Sequence, residues 1–416
     1  RCRIVTGVQT CALPILLRAF SVPSIIFLSM ENWDEVWRRN QFICAGLVRR
    51  NPALRILFVG LALDVSHAIR TRKLSALKDQ RLQTAPDYPA ITLMHPVKWL
   101  PNSIALGRKF NEAALRRQVR RQAEAMGMQS PLLWLNPHYA EHLVGKIGES
   151  AVIYDITDDW TQLSQSPRER DLVTRQDRDL CQKADAVIVC SQRLYDLKQG
   201  VAKRLELIPN GVDVNHYRSV LESGAPAASE TSAWHAPVFG YTGTLHPDRV
   251  DVNLIAHLAR AFPEGTVALV GPDYLDASAR SVLDREPNII IAGPVPYARL
   301  PQYVKKFDVC ITPHLMTAFT ESLNPIKLWE YLAIGKPIVS TDVAGFRDYP
   351  ELVRIARHAD DFIQLAHEAL KEGVALTDTR RTQAQKHSWD ARLDQVESVL
   401  ESLTSDKTTA NHAIRS

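Results

Sequence analysis

Short apolar runs alternate along the chain with longer stretches whose apolar positions recur every three or four residues. SIIFLS (24–29), RILFVG (55–60), ITLMH (91–95), LLWLN (132–136), AVIYDI (151–156), AVIVC (186–190) and LELIP (205–209) form a first series of runs. VFGYTG (238–243), TVALVG (266–271), NIIIAG (288–293), DVCITP (308–313), PIVST (337–341) and VRIAR (353–357) form a second. Runs this short and this uniformly apolar suit strands buried on both faces, as in parallel sheets. The intervals suit helices laid on those sheets: Val36, Phe42, Ile43 and Leu47 share one face of such an interval, and Leu254, Ile255 and Leu258 another. The pattern predicts an α/β protein with two Rossmann-like, doubly wound domains facing across a cleft.

Punctuation between the series sets the expected boundaries. PNGVD (209–213) holds Asn210 and Gly211, both tolerant of positive φ, so a sharp turn is expected there. Residues 217–235 are rich in Ser, Ala, Glu and Gly without apolar periodicity and read as an exposed connection. The first domain is expected over 16–215 and the second over 236–388, with a final helical segment and polar tail over 389–416. Amphipathic helices are expected at 361–371 and 389–403. Residues 1–15, RCRIVTGVQTCALPI, lack an initiator Met and resemble translated sequencing adapter, so a non-native leader is expected there.

The net charge of +4 hides an asymmetry: residues 1–215 carry 30 basic and 21 acidic side chains, residues 216–416 carry 20 and 25. The two halves are therefore expected to meet different partners. Six cysteines show no C-x-x-C pairing, and several sit in apolar runs as small hydrophobes, which fits a reducing cytoplasm. The one stretch near membrane length, 11–29, is cut by Pro14, Arg18 and Pro23, short of the roughly 20 apolar residues a span needs.

The densest chemistry lies in NPIKLWEYLAIGKPIVS (324–340). Asn324 can cap a helix through its side-chain oxygen, and Pro325 at the first helical position forfeits no hydrogen bond. The first N–H groups of that helix, with the positive end of the dipole behind them, offer a place for a phosphate. Lys327 adds a cation one turn in. Glu330, three residues on along the same face, is a carboxylate able to hold a vicinal diol such as a ribose. Gly335 is expected as a left-handed C-cap before the strand PIVST.

This string resembles the nucleotide-sugar clamp of GT-B fold glycosyltransferases of the group 1 type, where a Glu on such a helix meets the ribose and A-x-G-x-P-V enters the strand. PNGVD resembles the segment at which those chains cross between domains. The resemblance spans 24 to about 400 and is strongest over 238–345. It implies transfer of a sugar from a nucleoside diphosphate sugar to a cell-surface glycan or lipid-linked acceptor, with no cofactor and no metal. It also implies a cytoplasmic protein, peripheral on the inner face of the plasma membrane, whose last helix returns to the first domain.

Ligands of open α/β sheets lie beyond the carboxyl ends of the strands, so the loops there hold the remaining candidates. The resemblance puts the base against main chain near Val295 and the diphosphate near Gly243, Thr244, Ser322 and the helix start. Thr320 offers a hydroxyl, and Asn324 and Lys327 complete the polar cup. Many family members carry two acids eight residues apart; here Ser322 stands eight before Glu330 and Glu321 is one residue out of register, so the donor-sugar contact departs from the family pattern.

In the first domain, YDITDDWTQL crowds Asp155, Asp158 and Asp159 ahead of Trp160. Transfer to a hydroxyl needs a carboxylate that removes its proton, or a leaving diphosphate that takes it. Neighbouring carboxylates raise one another's pKa, so Asp158 or Asp159 is the candidate base; alternatively one caps the next helix and the other is solvated. Glu31, Trp33 and Asp34 follow the first strand as candidate acceptor contacts, carboxylates for hydroxyls and an indole for a sugar face, whereas the helical position of Trp37 speaks for core packing. His138 stands where related retaining enzymes place a donor-binding His. Arg116, Arg117, Arg120 and Arg121 share one side of a helical stretch, either a solvated face or a contact with an anionic membrane surface.

Other classes fit less well. The only plain D-x-D, Asp177-Arg178-Asp179, lies inside a polar helical stretch, and neither half has G-x-G-x-x-G after its first strand. No aromatic-interleaved basic groove points to nucleic acid. A nucleotide-sugar epimerase on the same fold, or a non-catalytic nucleotide- or carbohydrate-binding member, is the alternative to transfer.

Overall fold

A computed structural model describes residues 22–72, 82–163, 165–222, 224 and 226–415. The expected leader 1–15, with Cys2 and Cys11, lies outside the described residues. Every apolar run of the two series forms a strand. The first sheet is ordered Leu205–Leu207, Ala186–Val189, Ala151–Ile156, Leu132–Leu135, Ser24–Leu28, Arg55–Val59, Tyr88–Met94, Gln83–Ala85, and is parallel except for its last strand. The second is ordered Ile289–Gly293, Thr266–Val270, Val238–Thr242, Val309–Thr312, Ile338–Thr341, Arg354–Ala356, parallel throughout. In both, the first strand lies inside the sheet and the chain winds away from it in both directions. The switch points therefore fall after Leu28 and Leu135 in one domain and after Thr242 and Thr312 in the other, where open sheets gather their ligands.

Helices cover both faces of each sheet, which is why the strands are apolar on both sides. Phe27 stacks on Phe58 and Trp134 at 5.7 and 5.4 Å, all three rings closed to solvent; each such burial stabilises by about 1.5–3 kcal/mol. Short pieces without a readable period were not foreseen: the strands Leu63–Asp64 and Val97–Lys98 pair as a separate ribbon, Gln83–Ala85 adds the antiparallel edge, and Thr377–Gln385 is a helix.

The chain crosses between domains twice, side by side. Val212 N–H donates to His387 O (3.0 Å) and Trp389 N–H to Val212 O (3.1 Å). Neither Asn210 nor Gly211 takes a positive φ, contrary to expectation. Gly211 is needed for another reason: a Cβ there would sit 3.0 Å from the Trp389 nitrogen of the returning strand. The final helix, Trp389–Arg415, lies on the first domain, with Trp389 stacked on Phe42 at 4.7 Å and Leu393, Val396 and Leu400 in that domain's core. Cys44, Cys181, Cys190 and Cys310 are buried, unpaired thiols.

Candidate active site

The two switch points face one another across a cleft of about 900 Å³. On the second-domain side, Gly243 and Gly271 end adjacent strands with φ of +133° and +149°. A Cβ on Gly271 would lie 2.1 Å from the Gly243 carbonyl oxygen, and one on Gly243 would lie 3.1 Å from Lys327 Nζ. Two glycines thus let the strand tips close up and leave room for a lysine over them. Tyr331 fixes the helix Ile326–Ile334 against this edge by accepting from Thr242 N–H at 2.8 Å.

The start of that helix differs from expectation. Pro325 is the N-cap residue, with no side-chain cap. Asn324 is taken by the crossover: its Oδ1 accepts from Asn210 N–H (2.9 Å) and its carbonyl from Asn210 Nδ2 (2.5 Å). No side chain therefore caps the first turn, and Pro325, Ile326 and Lys327 line the cleft. Gly335 closes the other end at φ +81°, as expected.

Lys327 and Glu330 both line the cleft, 9% and 8% exposed. Burial, reinforced by Arg249 and partly offset by Glu330, pushes the Lys327 ammonium down to about 7. Its Nζ lies 5.0 Å from the centre of the Tyr241 ring. Burial raises the Glu330 carboxyl above the usual carboxylate range, with Tyr217 and Lys327 pulling it back. Gly243, Thr244, Val295 and Asn324 line the same cleft.

Sequence reasoning missed the second cation, Arg249. The turn from His246 carries it, with Arg249 N–H bonded to His246 O (2.9 Å) and Leu315 N–H to Arg249 O (2.9 Å). Its guanidinium lies over Phe319 and 3.9 Å from Asp158 of the other domain, and its Nε is buried with no hydrogen-bond partner. His314 also lines the cleft, fully buried; burial and the charges of Lys327 and Arg249 hold it well below its ordinary pKa, so it is neutral. The available signal was a basic residue in the loop after the first strand of the second sheet.

On the first-domain side, Asp158 lines the cleft, accepts from Thr157 Oγ1 at 3.0 Å and is raised above the usual carboxylate range. The cause is burial, opposed by Arg249, and not a neighbouring carboxylate as the sequence suggested. Glu31 and Asp34 line the mouth, both paired with Arg38 (3.2 and 3.1 Å). Loss of hydration in the cleft, opposed first by Arg38, lifts Glu31 to about 7. Trp37 also lines the cleft, stacked at 5.8 Å on Tyr297 of the second domain, which in turn stacks on His216 at 4.3 Å.

Five candidates lie elsewhere. Asp159 turns away from the cleft to cap the short helix Trp160–Gln162, accepting from Thr161 N–H and Oγ1 at 3.1 and 2.5 Å. Ser322 is buried at the domain contact, its Oγ accepting from Asp159 N–H (3.1 Å) while its carbonyl accepts from Ser191 Oγ (2.6 Å). Thr320 is closed to solvent and spends its hydroxyl on Leu315 O at 2.7 Å. Trp33 packs edge-on against Phe58 at 5.3 Å, on the first core. His138 opens a 3-10 helix outside the cleft lining, where burial lowers its pKa. Glu321, the acid out of register, is exposed and paired with Arg347.

Two Rossmann-like domains, a double crossover, a last helix returned to the first domain and a polar cleft between the switch points define the GT-B class. The second domain is of glycosyltransferase type: residues 236–372 match the family described as Glycosyl transferases group 1. A Bacillus subtilis (strain 168) protein named for teichuronic acid biosynthesis, the glycosyltransferase TuaH, is 27% identical over 263 residues, 59% of this chain and 65% of that protein. The chain thus spans just under two thirds of that relative's length. Among solved structures, sucrose-phosphate synthase from Thermosynechococcus elongatus superposes with a TM-score of 0.70 at 16% identity, over 92% of this chain and 99% of that one. Anabaena HepE in complex with UDP-glucose gives 0.64 at 17%, over 91% and 99%.

Proposed function

We propose that the chain transfers a sugar from a nucleoside diphosphate sugar to a glycan or lipid-linked acceptor used in building cell-envelope polysaccharide. The observation that carries this is the buried pair Lys327 and Glu330 on one uncapped helix start, with the half-buried Arg249 lining the same cleft. Two cations and free N–H groups suit a diphosphate, and a desolvated carboxylate three residues along suits a ribose diol. UDP is the first donor nucleotide to test, because HepE was solved with UDP-glucose and the Escherichia coli trehalose-6-phosphate protein with UDP-2-fluoro glucose. The named role of the Bacillus relative favours an envelope acceptor.

In this reading the bond between the anomeric carbon and the diphosphate oxygen breaks while the acceptor oxygen bonds to that carbon. Negative charge gathers on the diphosphate, where Arg249 and Lys327 meet it in a water-poor cleft with no metal required. The acceptor proton passes to Asp158 or to the departing diphosphate. Peripheral attachment to the inner membrane face, with Arg116, Arg117, Arg120 and Arg121 toward anionic lipid, brings a lipid-linked acceptor to the cleft.

A panel of UDP, GDP, dTDP, ADP and NAD in thermal unfolding tests the clamp. A ligand at about 100 times its Kd stabilises by about 2.7 kcal/mol. One nucleoside diphosphate is expected to stabilise the wild type, with Glu330→Ala losing most of the effect. Stabilisation by none of them, or by NAD alone, would overturn the reading; binding with no turnover on any acceptor would favour a non-catalytic member.

A further inference from the structure

The first domain carries a feature that the cleft chemistry leaves unused. From the end of the strand Val97–Lys98 into the first turns of the helix Ala105–Ala125, the side chains of Trp99, Leu100, Ile104, Leu106 and Phe110 are 40–76% exposed. Exposed apolar residues scattered singly need no explanation, but five within one short segment form a patch.

The segment is built to hold them out. Asn111 Oδ1 accepts from Trp99 and Leu100 N–H (3.1 and 3.2 Å), and its Nδ2 donates to Leu100 O and Asn102 Oδ1 (2.7 and 2.8 Å). Gln118 bonds both backbone groups of Val97, at 2.8 and 3.0 Å. At Gly107 the loop comes so close that a Cβ would lie 2.5 Å from the Pro101 carbonyl oxygen. The polar side chains of the helix thus fix a loop whose apolar side chains face water.

The charge around the patch is mostly basic. Positions 106, 110, 113, 117, 120 and 124 follow helical spacing and are exposed, while Val119 and Ala123 opposite are buried. The outward stripe is apolar at Leu106 and Phe110, basic at Arg117 and Arg120, and ends at Glu124, with Lys109 and Arg121 beside it. Residues 97–125 hold seven basic and two acidic side chains, and one of the acids, Glu124, is paired with Arg120 at 2.8 Å. The paired strand Leu63–Asp64 starts two residues after Leu61, which lines the cleft, so one ribbon joins the cleft rim to the patch.

Apolar side chains with Trp among them, flanked by cations, match a bilayer interface with anionic headgroups. A second copy would bring like charges together. Among the described residues no helix is long and apolar enough to cross a membrane, so the element lies on the surface. We propose that the segment Trp99–Phe110 is a membrane anchor: its apolar side chains enter the headgroup boundary of an anionic bilayer while Lys109, Arg117 and Arg121 bind the headgroups, turning the acceptor side of the cleft to the lipid. This rests on the transferase reading only for the meaning of that orientation.

The test is co-sedimentation of the full chain with vesicles of phosphatidylcholine alone or mixed with phosphatidylglycerol. Binding to the mixed vesicles is expected, weaker in high salt and on phosphatidylcholine alone, and reduced roughly tenfold or more in Leu106→Ser/Phe110→Ser and in Arg117→Glu/Arg121→Glu. UDP stabilisation in both variants should match wild type, which shows that they fold. Absence of vesicle binding, undiminished binding by the Ser variant, or micromolar self-association that the Ser variant abolishes would each overturn the anchor. Vesicle binding without nucleotide binding would instead sink the transferase reading alone.

Discussion

The two walls of the cleft are built on different physical plans. The second-domain wall is local: Lys327 and Glu330 ride on one helix, and the glycines that make room for the lysine end neighbouring strands. The first-domain wall is assembled from distant segments: Asp158 follows one strand and Glu31 and Asp34 another, and burial raises Asp158 and Glu31 against the pull of Arg249 from across the cleft and of Arg38. A wall made of one contiguous motif can be read from sequence because spacing alone puts its groups on one face. A wall made of strand ends cannot, because the direction of each side chain past a strand end depends on what packs there.

The sharpest break of this comparison is Asp158→Asn, which keeps shape and removes only the basic oxygen. If Asp158 takes the acceptor proton, kcat should fall about 10²–10⁴-fold while UDP-induced stabilisation stays at the wild-type value. Nucleotide release assayed with acceptor present checks it. Unchanged turnover would remove Asp158 as the base and leave the departing diphosphate to take the proton.

A smaller effect tests the local wall. Lys327, held at about 7 by burial and Arg249, is charged below neutrality and neutral above it. Only the ammonium attracts a diphosphate, and the bound diphosphate raises the ammonium's pKa. Binding above neutrality therefore takes up a proton, and affinity should fall by up to about tenfold per pH unit from pH 7 until the bound pKa is passed. Calorimetry in buffers of different ionisation heat should show that uptake. Lys327→Met should bind weakly with a flat profile; a flat profile in the wild type would show that Lys327 does not meet the phosphates.

The same contrast explains what was legible. Strands came through because both faces are buried, and Lys327 and Glu330 because a helix fixes their relation. Asn324 was misread because its ordinary capping role lost to Asn210, 114 residues away, and Ser322 because it serves a contact with Asp159 and Ser191. Arg249 escaped notice because a loop cation has no period; only the turn from His246 aims it. Trp33 and His138 were placed by their position after a strand, which fixes neighbourhood but not direction.

Asp159→Ala should have the smallest effect and is the control for the first. Asp158 and Asp159 are adjacent, so sequence could not choose between them, but their surroundings divide the work: one faces Arg249 across the cleft and the other caps Trp160–Gln162. Removing the cap should cost about 0.5–2 kcal/mol in denaturant unfolding. The Asp159 backbone N–H that meets Ser322 is untouched by the substitution, so the domain contact persists. Turnover per folded molecule should therefore stay near wild type, measured with UDP bound to hold the fold. A loss of kcat as large as that of Asp158→Asn, with stability unchanged, would mean that the carboxylate at 159 swings into the cleft during the reaction, and the division of labour drawn from this geometry would be wrong.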